Sequence, residues 1–184
     1  NVFNGLLQSS NVDLSLFEYI IAEGTSGTRG KMDVNATISG TLDDFVLEGY
    51  AKLKEGRTLV DFLGAEIFFD DQDIRVTNSI VDLTGVTITD PEGNVAVIDG
   101  GLRHTLLKDF VADATLRSDK FIGLNTTKEI NPTYYGKAIG DMDVNFSGPF
   151  ATVVDITVNG TTLPGTVLSI PVESSTDGYE ESFI

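Results

Sequence analysis

The sequence predicts an all-β chain folded as an antiparallel meander, and three observations carry that prediction. From residue 31 onward, apolar and polar side chains alternate with a period of two, as in strands with one wet and one dry face. Turn signals rich in Gly, Pro, Asn and Asp separate these stretches at short intervals. No βα alternation is present, so each strand finds its neighbour in the next one along the chain.

Taken in order, Met32, Val34, Ala36 and Ile38 alternate with Lys31, Asp33, Asn35 and Thr37. Phe45, Leu47, Gly49, Ala51 and Leu53 follow, with Glu48, Tyr50, Lys52 and Lys54 between them. Ala96, Ile98, Gly100 and Leu102 form another apolar register, and His104 falls on it. Phe110, Ala112, Ala114 and Leu116 interleave Val111, Asp113, Thr115 and Arg117. Met142, Val144 and Phe146 alternate with Asp141, Asp143 and Asn145; Val154, Ile156 and Val158 alternate with Asp155 and Thr157. Turns are predicted at Gly24 to Gly30, Ser39-Gly40, Glu55-Gly56, Pro91 to Asn94, Gly148-Pro149, Asn159-Gly160 and Pro164-Gly165. A short helix is compatible only with residues 57–64 or 14–21. The dry face uses aliphatics, Ala and Gly with no Trp, and long Greek-key connections are missing. A sheet curled into a U, a β-taco with an apolar interior groove, fits this better than a closed sandwich.

The chain has 184 residues, 28 Asp+Glu against 12 Lys+Arg, and a formal net charge of -16. That length suits one folded unit, so residues 1–184 are read as a single all-β segment. The acid excess excludes non-specific nucleic-acid binding, which needs clustered Lys and Arg, and opposes docking on anionic lipid headgroups. With no Cys, disulfides and thiol chemistry are excluded. No apolar run approaches the roughly 18 to 20 residues that span a bilayer. The chain opens on Asn1 without a signal pattern, and Ser182-Phe183-Ile184 reads as the start of another apolar segment. The expectation is a piece of a longer protein, with any membrane anchor outside it.

Catalytic and metal motifs are sparse. His104 is the only histidine, no G-x-S-x-G elbow accompanies it, and its register predicts a strand-end residue donating to a backbone carbonyl. Gly27-Thr28-Arg29-Gly30-Lys31 lacks the outer Gly and the Ser/Thr of a phosphate loop and reads as a hairpin or interdomain loop. Asp43-Asp44, Asp70-Asp71-Gln72-Asp73 and Asp90 to Asn94 offer carboxylates without EF-hand spacing; they read as solvated acidic turns, with calcium as the rival. Carboxylate pairs for glycoside hydrolysis have no distinguishing pattern in so acidic a chain. Four N-x-S/T sites, at Asn35, Asn125, Asn145 and Asn159, match the abundance of Asn and Thr. No enzyme activity, cofactor or metal is predicted.

One stretch carries a resemblance. Asp90-Pro91-Glu92-Gly93-Asn94-Val95-Ala96 runs through Gly100 to His104; Leu124-Asn125-Thr126-Thr127, Tyr134-Tyr135-Gly136-Lys137-Ala138 and Gly165 to Pro171 follow. This order and spacing resembles the C-terminal region of the TamB family in its Bacteroidota form. The resemblance runs from about Val46 to the end, with residues 41–172 as its core and 173–184 as a polar connection to a following strand. Gly93, Asn94, Gly100, His104, Tyr135 and Gly136 are its motif positions. It implies a periplasmic β-taco segment of a bridge-type, AsmA-like protein tethered to the inner membrane. The family is linked to phospholipid movement toward the outer membrane, to outer-membrane protein assembly, and to a TamA-like barrel partner. The chain stops before the family's later Asp- and Gly-rich strands, so direct contact with that barrel is expected through the full-length protein.

The expected function is therefore non-enzymatic. A groove lined by Met32, Val34, Ile38, Phe45, Leu47, Ile98, Phe110, Ala112, Leu116, Met142, Val144, Phe146, Val154, Ile156 and Val158 would conduct acyl chains. Gly100, Gly136 and Gly140 would keep the channel wide or let the sheet bend. Val144→Arg or Ile156→Arg would block lipid and leave the strands formed. Rival expectations are a docking platform for nascent outer-membrane β-strands and a calcium-stabilised adhesion module.

Overall fold

The computed structural model describes residues 2–19 and 25–171. Twelve strands form one antiparallel sheet: β1 (Phe3–Asp13), β2 (Thr25–Gly40), β3 (Phe45–Val60), β4 (Ala65–Phe69), β5 (Gln72–Val76), β6 (Ile80–Asp82), β7 (Val86–Thr89), β8 (Val95–Thr105), β9 (Lys108–Thr126), β10 (Tyr135–Pro149), β11 (Asp155–Thr162) and β12 (Val167–Ser169). The order is β1-β2-β3-β4-β7-β8-β9-β10-β11, and β12 shares an edge of β10 with β11. The meander predicted from the alternation is thus present, with one excursion. β3 pairs β5 along Gly49–Leu53 and β4 along Gly56–Val60. β8 in turn receives β7 along Val95–Ile98 and β6 along Gly101–Arg103. Between those two long strands, β4 and β7 meet at a single residue pair, Phe68 opposite Thr89.

Three predicted turns prove to be strand interior. Residues 25–30 belong to β2, while Gly24 lies outside the described residues. The β2–β3 register shifts twice here, and Gly27 (φ 64°) and Gly30 (φ 122°) supply the positive φ that such bulges need. Glu55-Gly56 is likewise a kink within β3: Glu55 has φ 48°, and its N–H donates to the Asp70 carboxylate at 2.7 Å. Gly56 is required because the Phe69 ring fills the space where a Cβ would stand, 1.9 Å away. Asn159-Gly160 sits in mid-β11, directly opposite Met142 and Asp143. In sequence, glycine is a turn signal at all three places, whereas its work here is bulging and close strand contact. The helix positions shrink to short 3-10 turns at Leu14–Tyr19 and Asp61–Leu63.

Packing is shallow. Among the described residues no large side chain is fully enclosed, and the central cluster of buried residues comprises Ile88, Ala96 and Phe121, flanked by Ile67, Phe69, Ile98, Leu116 and Met142. It forms where the second half of β9 meets β4 and Gly64, although β7 and β8 stand between β4 and β9 in the sheet. A Cβ on Gly64 would fall 2.2 Å from the Asn125 carbonyl oxygen.

Candidate functional site: the apolar face

Directly opposed residues of antiparallel strands point to the same side of a sheet, so the register defines rows. Val86, Ile98, Leu116, Val144 and Val158 form one row across β7 to β11. Beside it run Gly100, Ala114, Phe146 and Ile156. Across β1 to β5, Leu7, Ala36, Gly49 and Val76 form a third row, with Val34, Ala51 and Ile74 next to it. The opposite face is charged: Arg117 on β9 bridges Asp99 on β8 at 2.8 Å and Asp143 on β10 at 2.9 Å. Such exposed pairs contribute little stability and mainly keep that face wet.

The predicted dry-face residues that lie in strands fall on this apolar side with graded burial, whereas Val154 precedes β11 and has no partner in the register. Leu47, Ala112 and Val144 are buried; Met32, Val34, Ile38, Phe45, Ile98, Phe110, Leu116, Met142, Phe146 and Val154 are half-buried. Ile156 is 40% exposed and Val158 62%, because β11 is the last strand of the sheet among the described residues and none of them pairs with its outer flank. Val144 and Ile156 are therefore not equivalent probes, as the alternation alone suggested: an arginine meets packed neighbours at the first and water at the second.

The glycines named from sequence do not widen the face. Gly100 (φ 98°) and Gly136 (φ 123°) hold backbone that other residues rarely adopt, and the space above each is occupied. A Cβ would lie 2.3 Å from the Asp113 carbonyl oxygen at Gly100 and 2.0 Å from that of Val167 at Gly136. At Gly140 the Thr161 oxygen stands 3.1 Å away. These residues let strands close up and bend.

The motif around Asp90 acts as a latch. Asp90 is 2% exposed, and its carboxylate accepts from the Glu92 and Asn94 N–H groups, the Asn94 side-chain amide and the Ile122 N–H, all at 2.8 to 2.9 Å. Gly93 (φ 80°) closes the turn. The β7–β8 hairpin is thereby tied to β9 at Ile122. Burial alone raises the carboxyl pKa, yet the bonds from Asn94, Ile122 and Glu92 outweigh it and hold the group below the usual carboxylate range. Nearby, the buried Ser118 hydroxyl lies 2.5 Å from the Val95 carbonyl and accepts from the Lys120 N–H at 3.2 Å. The sequence marks the Asp90 stretch without its role; the break in alternation at Ser118 to Lys120 is the signal for the register shift of β9 against β10 and for the burial of Phe121.

His104 is buried on the apolar face and stacks obliquely on Phe110, centroids 5.6 Å apart. The expected donation to a carbonyl is not the bond that forms. Its Nδ1 instead accepts the Leu107 N–H at 3.2 Å across the β8–β9 turn, which leaves the proton on Nε2. Burial lowers its pKa, opposed in part by the Thr77 backbone. A base whose folded pKa lies below its unfolded value stabilises the fold fully above the unfolded value, about pH 6.5, and loses that contribution as pH falls from there toward the folded pKa. Urea midpoints are expected to decline from pH 7 to pH 5 in the wild type and to decline less in His104→Phe; parallel curves would remove His104 as the cause.

Tyr135 opens β10 opposite Ser169 of β12. The Asp70 carboxylate caps the Glu55 and Asp71 N–H groups, and Asp71 pairs with Lys52 at 2.6 Å. No group of three or more His, Cys, Asp or Glu side chains gathers as a metal site among the described residues. No helix among them is long and apolar enough to cross a membrane. Comparison of the chain with protein-family models, with curated proteins and with solved structures returned no match.

Proposed function

We propose that this chain is a non-enzymatic segment of a TamB-like, periplasmic protein, and that its apolar face carries phospholipid acyl chains. The observation that supports this most is that the apolar rows, whose inner members such as Val86 and Val144 are buried, run outward to Ile156 and Val158, which are exposed. A seven-residue strand spans roughly 23 Å, about one acyl chain. Covering about fifteen methylenes at about 0.8 kcal/mol each gives a gross of about 12 kcal/mol before ordering costs. Aliphatic walls without fixed polar ligands would let such a chain slide. The partner that goes with this reading is a TamA-like outer-membrane barrel, reached through the full-length protein.

Native mass spectrometry with lipid extraction, on protein purified without detergent from a Gram-negative host, tests the reading. Wild type should carry phospholipid. Val158→Arg should lose it and change stability by less than about 1 kcal/mol, since the side chain is already wet. Equal lipid in both would sink the proposal.

A second reading has its own support in the sheet edges. β1 and β11 each contain one charged residue, Asp13 and Asp155, whereas edge strands are usually guarded by charge or Pro. They could template an extended partner strand by β-augmentation. Crosslinks from edge positions to unfolded outer-membrane proteins, without bound lipid, would favour it.

A further inference from the structure

The polar face of β2 and β3 holds two guanidiniums in direct opposition, Arg29 across from Arg57. Like charges so placed destabilise a sheet. Arg57 pairs with Glu66 on β4; Arg29 has no ion-pair or hydrogen-bond partner among the described residues. Both line a cleft of about 510 Å³. It lies where the ladder thins to the single Phe68–Thr89 pair and β5 turns away toward β6. The cleft takes side chains from both faces. Phe68 stands opposite Arg57 on the polar side, while Phe69 packs against the Ile88–Ala96–Phe121 cluster on the apolar side. Glu55 and Asp70 complete the rim.

A thinned ladder, an opposed arginine pair of which only Arg57 has a carboxylate partner, and an aromatic wall leading to the apolar face coincide here, and together they match a ligand with a charged head and a hydrocarbon tail. We propose that this cleft is the headgroup site for a zwitterionic phospholipid. The phosphodiester would lie against Arg29 and Arg57, the amine toward Glu55 and Asp70, and the chains would pass Phe68 and Phe69 to the apolar rows. The tail half rests on the acyl-carrying reading above; the head half rests on the arginine pair. Charge selects the zwitterion: two rim carboxylates in a chain of net charge -16 repel a purely anionic head, and the amine offsets them.

The test incubates wild type, Arg29→Gln and Arg29→Lys with phosphatidylethanolamine, phosphatidylglycerol, free phosphoethanolamine and diacylglycerol, and reads occupancy by native mass spectrometry. Wild type should prefer phosphatidylethanolamine over phosphatidylglycerol by about tenfold. Arg29→Gln should lose about tenfold in phosphatidylethanolamine, keep diacylglycerol unchanged, and melt no lower than wild type because the cation repulsion is gone. Arg29→Lys should retain most of the binding. Phosphatidylethanolamine unaffected by Arg29→Gln, with diacylglycerol still held, overturns the headgroup site alone. Free phosphoethanolamine competing as well as the lipid overturns the lipid as its source. Diacylglycerol absent from wild type overturns the apolar-face reading itself.

Discussion

Asp90→Ala is expected to lower the unfolding free energy by about 4 kcal/mol, a large share of the 5–15 kcal/mol typical of a domain. The carboxylate satisfies four N–H donors at once, and the Ile122 bond is buried. Alanine would leave that amide without a partner inside the sheet, where an orphan donor costs about 1–3 kcal/mol. It would also release the turn from β9. Asp90→Asn keeps the size but turns an NH2 toward donors, so an intermediate loss is expected. Because the folded pKa is depressed, the contribution is complete above the unfolded value near pH 4 and disappears as pH falls through the folded one. The gap between wild-type and Asp90→Ala stabilities, from urea melts, should be full at pH 6 and shrink below pH 4. A gap independent of pH would mean that the side chain's volume, and not its charge, holds the turn.

That latch shows which parts of the molecule could be read from the sequence. Period-two patterning fixed the strands because alternation records which face each residue takes, and strands such as 31–39 and 142–147 needed no further information. The motif from Asp90 to Asn94 was visible as a pattern, yet its meaning depends on Ile122, thirty-two residues away and brought near by the bend of β9. Glycine misled the reading at Gly27, Gly56 and Gly160. In sequence a glycine that permits a turn looks the same as one that makes room for Phe69 or for a partner backbone. The apolar face was legible as a set of residues, but not as graded burial, because the alternation does not tell which strand is the edge. For the same reason the Arg29–Arg57 opposition could not be seen: it follows from a β2–β3 register shifted by two bulges.

Val144→Arg separates packing from carriage. Val144 is 8% exposed, flanked in its row by Leu116 and Val158. Removing the valine forfeits about 1.5–2 kcal/mol of burial, and the guanidinium finds no carboxylate on its own face, since Asp141 and Asp143 point to the other. The unpaired guanidinium adds about 1–2 kcal/mol of desolvation, held to that because the long side chain can reach water past Val158, so a net loss of about 3 kcal/mol is expected, with cooperative unfolding retained. Val158→Arg, one strand outward in the same row, should cost little. Both should empty the face of lipid, because either places a charge in the row along which an acyl chain would lie. The pair discriminates as neither variant does alone. Lipid lost only from Val144→Arg would mean that disrupted packing released it and that the row does not carry the chain. Lipid lost from both, with only Val144→Arg destabilised, would assign the row from Val86 to Val158 to the ligand while its inner members also hold the sheet together.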